Sequence, residues 1–132
     1  EETGEFVWNL VTRSLAQSMN ETCAAVGAEV NEFELAGLTP LPSQLVAVPR
    51  VAESPVTFEC RKTQVVQLQG VDGEKVPTWL VLGEVVAIHI AQHLLQDGVF
   101  ETAGAGMVLR GGGPADYFTI GPEQLFRMHR PA

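Results

Sequence analysis

Cations are scarce in this 132-residue chain: eight Lys and Arg stand against sixteen Asp and Glu, a formal charge of -8. No basic block or stripe interrupts that balance, which argues against nucleic acid and anionic membrane surfaces as partners, since both rely on clustered cations. Long apolar runs are missing too. The longest falls far short of the roughly 20 residues that cross a bilayer, and no stretch resembles a signal peptide, so a soluble, cytoplasmic protein is expected. Cysteine is limited to Cys23 and Cys60, with no CxxC spacing. That excludes a disulfide scaffold and predicts two reduced, buried thiols. Internal repeats and low-complexity segments are absent as well.

What is present suffices for one domain spanning 1–132, because 45% of the residues are hydrophobic. Phe6 to Val11 reads as a short buried strand. Thr12 then caps a helix in which Leu15, Ala16, Met19 and Cys23 recur at helical spacing. A second helix of about two turns is predicted in "VNEFELAGL", with Asn31 as its cap and Gly37 as its stop. "TPLPSQLVAVPRVAESP" follows, a proline-rich connection of the length that often forms a lid or binding loop.

From Val56 the pattern changes to period two, with Val56, Phe58 and Cys60 on one face and Thr57, Glu59 and Arg61 on the other. A phase slip near Thr63 predicts a bulge. "QGVDGEKVPT" reads as a hairpin connection. "WLVLGEVVAIHI" is apolar on both faces and is predicted to lie centrally in a sheet, with Gly83 permitting a bend or close approach. "VLRGGGPADYFTI" reads as a last strand broken by glycines, and "GPEQLFRM" as a short helix or strand end. The balance predicts a mainly β protein with short helices, a small barrel rather than a βαβ sheet.

Few chemical motifs stand out. His89 and His93 have H-x-x-x-H spacing, but it straddles a strand end and lacks a third ligand, so no metal site is expected. Gly111, Gly112 and Gly113 offer either a tight turn or an anion-binding nest, without the order of a dinucleotide fingerprint. Arg110, Asp116 and Tyr117 beside them would suit an anionic or planar ligand. Glu53, Ser54 and Glu59 are the carboxylates and hydroxyl a hydrolase would draw on, yet no G-x-S-x-G or triad order accompanies them.

Taken together, "GEFVWNLVT", Met19-Asn20, "NEFELAGLTPLPS", "VPRVAESPVTFEC", "LGEVVAIHI", "LRGGGPADYF" and "RMHRP" resemble the flavin reductase-like proteins with an FMN-binding split β-barrel. The resemblance covers nearly the whole chain. It implies an antiparallel barrel, a homodimer with FMN at the subunit interface, and hydride transfer from NAD(P)H to flavin. In that family an A-P-F-S-F-F-like stretch and a K-D-T-like turn precede the equivalent of "GEFVWNL" and hold the flavin. Neither stands in this sequence, and about four strand segments are too few to close a barrel. The resemblance therefore implies the C-terminal two-thirds of a split barrel that is incomplete without an N-terminal segment.

Carried over residue by residue, it assigns Arg110, Gly111, Gly112 and Tyr117 to the flavin pocket. It adds Asn9 and His89 as hydrogen-bonding groups toward cofactor or substrate. The long loop ending in "VPRVAESPVTFEC" is expected to fold over the rim of that pocket, with Arg50 and Glu53 as an ion pair. Two alternatives stand beside the oxidoreductase: a non-catalytic flavin-binding or dimeric scaffold barrel, and a small hydrolase using Glu53 or His89.

Overall fold

A computed structural model describes residues 4–131. The chain begins with β1 (Glu5–Asn9), a 3-10 turn at Arg13–Leu15, α1 (Ala16–Glu21) and α2 (Glu32–Leu35). Two short strands, β2 (Pro40–Leu41) and β3 (Arg50–Val51), bracket the proline-rich loop. The long strands β4 (Val56–Gln69) and β5 (Lys75–Ile90) come next. The small ladders β6 (Leu95–Gln96) with β7 (Val99–Phe100) and β8 (Val108–Arg110) with β9 (Tyr117–Thr119) complete it. The fold is mainly β with a few short helices.

Local chemistry accounts for most of these elements. Asn31 accepts a hydrogen bond from the Phe33 amide at 3.1 Å and opens α2, and Gly37, at φ +63°, ends it in the left-handed region. The helix predicted after Thr12 is shorter than its periodicity implies: α1 stops at Glu21, where Thr22 turns its hydroxyl back onto the Met19 carbonyl at 2.7 Å. The β4–β5 register shifts between Lys62 and Gln64, where the phase of the sequence slips. The glycine-broken last strand is in fact a hairpin, β8–β9, whose turn holds the three glycines.

The principal sheet has the order β1-β4-β5, all antiparallel. This corrects the expectation of a central place for "WLVLGEVVAIHI". Among the described residues β5 pairs only with β4, and Trp79 is 54% exposed. Its apolar character on both faces marks surface that calls for a cover, and among the described residues the hairpin is buried at its Val56–Cys60 end. There Leu10, Val56, Leu94 and Ala105 form the core, with Phe58, Ile90, Phe100 and Met107 packed against it.

The cysteines differ. Cys60 is buried, and burial pushes its thiol up, whereas Cys23 is exposed just beyond the end of α1 rather than buried as its helical spacing implied. Among the described residues no helix is long and apolar enough to cross a membrane.

Candidate functional site

Strand register places Asn9 opposite Thr57 and Thr57 opposite His89, one row across the sheet; Val7, Glu59 and Ala87 form the next row. Because side chains two residues apart share a face, Asn9, Thr57, Glu59 and His89 all rise on the same side. The loop between β2 and β3 lies over that side. Its amides need acceptors, and the sheet supplies them. Glu59 accepts from the amides of Gln44 (2.7 Å), Leu45 (2.6 Å) and Val46 (3.2 Å). Asn9 Oδ1 accepts from the Val51 amide at 3.0 Å, and Glu5 accepts from the Ala47 amide at 2.8 Å.

Glu59 is 0% exposed. Burial is the largest single influence on its carboxyl and pushes it up, but the amides of Gln44 and Leu45 together with His89 outweigh it and hold the group at about 2. An ionised carboxylate only accepts. The 2.6 Å contact between Glu59 Oε1 and His89 Nε2 is therefore an N–H donated by the imidazole. Thr57, between Asn9 and His89 in the row, is 1% exposed, and its hydroxyl has no partner among the described residues. An orphaned buried hydroxyl costs about 1–3 kcal/mol.

The expected Arg50–Glu53 ion pair does not form. Both Glu53 oxygens accept from the Thr39 amide, at 3.0 and 3.1 Å, and Arg50 Nε reaches only the Pro42 carbonyl at 3.4 Å. The loop is thus fixed by carboxylates on amides rather than by opposite charges. Ser54 is buried, and its hydroxyl is directed to the Leu10 and Val56 carbonyls, at 2.8 and 2.9 Å. It is a poor nucleophile in that arrangement.

The other sequence-predicted residues gather on the β8–β9 turn. Arg110 donates to the carbonyls of Asp116 (2.8 Å), Gly113 (2.8 Å) and Pro114 (3.0 Å), and its guanidinium carbon lies 4.9 Å from the Tyr117 ring centre. The arginine therefore organises the turn through its own backbone. Gly111 is required by close approach: a Cβ there would meet the Phe118 ring at 2.5 Å. Gly112 faces open space, and Tyr117 stays 47% exposed.

Three grooves connect these groups. The first, about 410 Å³, is walled by Trp8, Asn9, Met19, Phe33 and Ser54 among others. The second, about 530 Å³, lies between α1 and the β8–β9 hairpin, with Arg13, Met19, Asn20, Tyr117 and Phe118 on its walls. The third, about 480 Å³, includes Arg50, Ser54 and His89. Met19 is common to the first and second, and Ser54 to the first and third. Asn9, His89 and Tyr117 accordingly sit on successive grooves, while Arg110, Gly111 and Gly112 shape the turn beside one of them. Among the described residues no group of three or more His, Cys, Asp or Glu could hold a metal ion.

Glu59 was the residue sequence reasoning undervalued. Period two places it on the face opposite Val56 and Phe58, which for a half-buried strand means solvent. The overlooked signal was the loop itself: its intervening N–H groups, in a segment too irregular to pair them internally, required an acceptor from elsewhere.

The "flavin reductase like domain" pattern matches residues 1–105. The protein BH2278 of Halalkalibacterium halodurans is 35% identical over 131 residues, which are 99% of this chain and 61% of that protein. Nitrilotriacetate monooxygenase component B from Bacillus cereus superposes with a TM-score of 0.85 at 32% identity, over 96% of this chain and 61% of that one. A Shewanella frigidimarina protein with a split barrel domain gives a TM-score of 0.80 at 25% identity, over 98% and 62%. The chain thus spans about three-fifths of the length of these relatives. With the domain pattern covering most of its length and split-barrel proteins sharing its fold, the chain belongs to the flavin reductase-like family.

Proposed function

We propose that this chain is the larger part of an FMN-dependent oxidoreductase that passes hydride from NAD(P)H to bound flavin and works as a homodimer. The observation that carries the reading is the likeness to nitrilotriacetate monooxygenase component B, which covers 96% of this chain. The second groove suits a flavin. At about 530 Å³ it is of the size that takes a cofactor. Tyr117 and Phe118 give it exposed aromatic surface, while Arg13 and Asn20 bring polar side chains free of hydrogen bonds to the described residues. Aromatic surface beside polar donors matches a planar ring with a hydrogen-bonding edge.

When bound, the flavin supplies the two-electron redox chemistry. The chain's own contribution is positional. Tyr117 would offer a ring face, Arg110 holds that tyrosine and the turn in place, and Arg13 and Asn20 would donate to the polar edge. Asn9 acts by fixing the loop through Val51. The apolar surface of the β4–β5 ribbon, including Trp79, Val81 and Val66, is of the kind that a subunit interface covers.

The test is a binding titration with the full-length protein. Replacing Tyr117 by Leu together with Arg110 by Gln is expected to weaken FMN about tenfold or more, a loss of about 1.4 kcal/mol. Unchanged FMN affinity would remove the second groove from the account. A full-length protein that holds FMN yet is inert to NAD(P)H would support the non-catalytic barrel instead.

A further inference from the structure

We propose that the first groove takes an extended, apolar and basic peptide strand along the free edge of β1, and that this strand is residues 125–130 of a second copy. The inference rests on the homodimer proposed for this chain and not on flavin. Leu10 N–H donates to the Val56 carbonyl at 2.9 Å and Lys62 N–H to the Gly4 carbonyl at 2.8 Å, at the two ends of an unbroken β1–β4 register. In an antiparallel pair such bonds fall on alternate residues, so Phe6 and Trp8 also pair with β4. Val7 and Asn9 therefore turn their main-chain groups to the opposite edge. Further along that edge the Val11 carbonyl accepts from the Val108 amide at 2.8 Å, and the pairing stops there. Among the described residues the amides of Val7 and Asn9 have no partner, and the Val7 carbonyl has only the Asn9 side-chain amide at 3.4 Å.

The first groove follows this open edge. Its wall takes in Val7, Trp8, Asn9, Leu10 and Val11 in succession, and since neighbouring side chains point to opposite faces, such a run places the groove along the edge of the strand. Phe33, Leu38 and Pro49 add apolar surface. Glu32 is the only charged side chain among the described residues that line it. It is also free: Asn31 Nδ2 donates to Glu34 at 3.1 Å, and Glu32 has no side-chain hydrogen bond or ion pair among the described residues. An unpaired edge calls for a backbone with both donors and acceptors, the apolar wall for apolar side chains, and an unopposed carboxylate for a cation.

The sequence "LFRMHR", residues 125–130, has those properties. Leu125, Phe126 and Met128 are 51%, 76% and 83% exposed, and past the Leu125 amide the segment makes no hydrogen bond or ion pair among the described residues. It contains no proline, so each of its amides can join a ladder. When extended it puts Phe126 and Met128 on one face, toward the apolar wall. Arg127 and Arg130, two of the chain's eight Lys and Arg, bring the charge that Glu32 lacks. In its own chain the segment stands in solvent and outside the groove's wall, which leaves it for a second copy. In a twofold dimer the exchange is reciprocal and fills both grooves.

The probe is a synthetic peptide of residues 124–131, titrated into the full-length protein carrying Phe126→Ser and Met128→Ser, whose own segment no longer competes. The Val7 and Asn9 amide resonances are expected to move saturably and to gain protection from exchange, with a dissociation constant on the order of 0.1 mM. A peptide carrying Met128→Pro should bind about tenfold more weakly, because it loses a ladder donor and the apolar side chain. Glu32→Gln, at an exposed position, should weaken the unaltered peptide about threefold. Unmoved amides, equal binding by the proline peptide, or full affinity in Glu32→Gln would overturn the groove as a strand site. The second copy is tested by mixing two forms of the protein in a Cys23→Ser background, one isotopically labelled and the other spin-labelled at Met128→Cys. Broadening of Val7 and Asn9 in the labelled copy is expected. Broadening only when both labels share a chain, or none at all, would overturn the second copy as occupant. Sedimentation of the same mixture then tells an absent dimer, the failure of the homodimer reading, from a dimer whose groove stays empty.

Discussion

A Glu59→Gln chain is expected to lose about 3 kcal/mol of folding stability or more, the size seen when one partner of a buried charged network is removed. The substitution keeps volume and shape but swaps one acceptor oxygen for an NH₂ group. Four donors now converge on Glu59: the amides of Gln44, Leu45 and Val46, and His89 Nε2. Glutamine has one carbonyl oxygen to meet them, and its own amide protons face other donors. Urea unfolding should show the lower midpoint, and amide exchange at residues 44–46 should accelerate beyond the global change, because the loop loses its anchor. An unchanged midpoint would mean that the carboxylate does not hold the loop.

The same group sets an acid limit. Its folded value of about 2 lies below the ordinary 4.5, so the stability it contributes is fully present above about pH 4.5 and is lost as pH falls toward 2. The glutamine variant lacks that contribution at every pH. The gap between the two proteins should therefore close on acidification through that window, and a gap that stayed constant would assign the effect to shape rather than charge.

Gly83→Val is the second large effect, expected to destabilise by about 2 kcal/mol, within the range for overpacking. A Cβ at this position would stand 2.5 Å from Cε1 of Phe6 and 3.0 Å from the backbone oxygen of Arg61. The Phe6 ring lies against the glycine. Since the carbonyl belongs to β4, paired with β5 at this point, the backbone neighbour cannot yield freely. Even alanine should cost part of this, and Phe6→Leu should recover some of it in a double-mutant cycle read by thermal unfolding. Equal melting temperatures for wild type and Gly83→Ala would show that the ring moves aside at no cost.

Gly83 also illustrates what the sequence made legible. A glycine inside an otherwise apolar strand marks close approach, and a ring does approach it. Asn31 and Gly37 bound α2 because caps and left-handed stops are local chemistry. The bulge near Thr63 was readable because period two has a phase, and a slipped phase has few causes.

Other features depend on distant contacts. Glu59 looks like a solvent-facing strand residue until a loop some 14 residues earlier is laid across it. Arg110 beside three glycines and a tyrosine looks like a ligand clamp, but its donors reach the carbonyls of its own turn. Nothing in the residue types distinguishes those uses. The misplacement of β5 has a similar origin. Apolar residues on both faces report how much surface must be covered and leave open which polypeptide covers it, so a strand at the edge of this chain's sheet reads like a central one. Cys23 was placed by helical spacing, and α1 ended before reaching it.

The most direct test of the central reading is the spectrum of the purified full-length protein under anaerobic conditions. The account predicts a flavin absorbance band, present as isolated or restored by added FMN, that bleaches on addition of NADH or NADPH and returns on admission of air. A protein that stays colourless with excess FMN, or whose flavin band is unmoved by either nicotinamide, would contradict it.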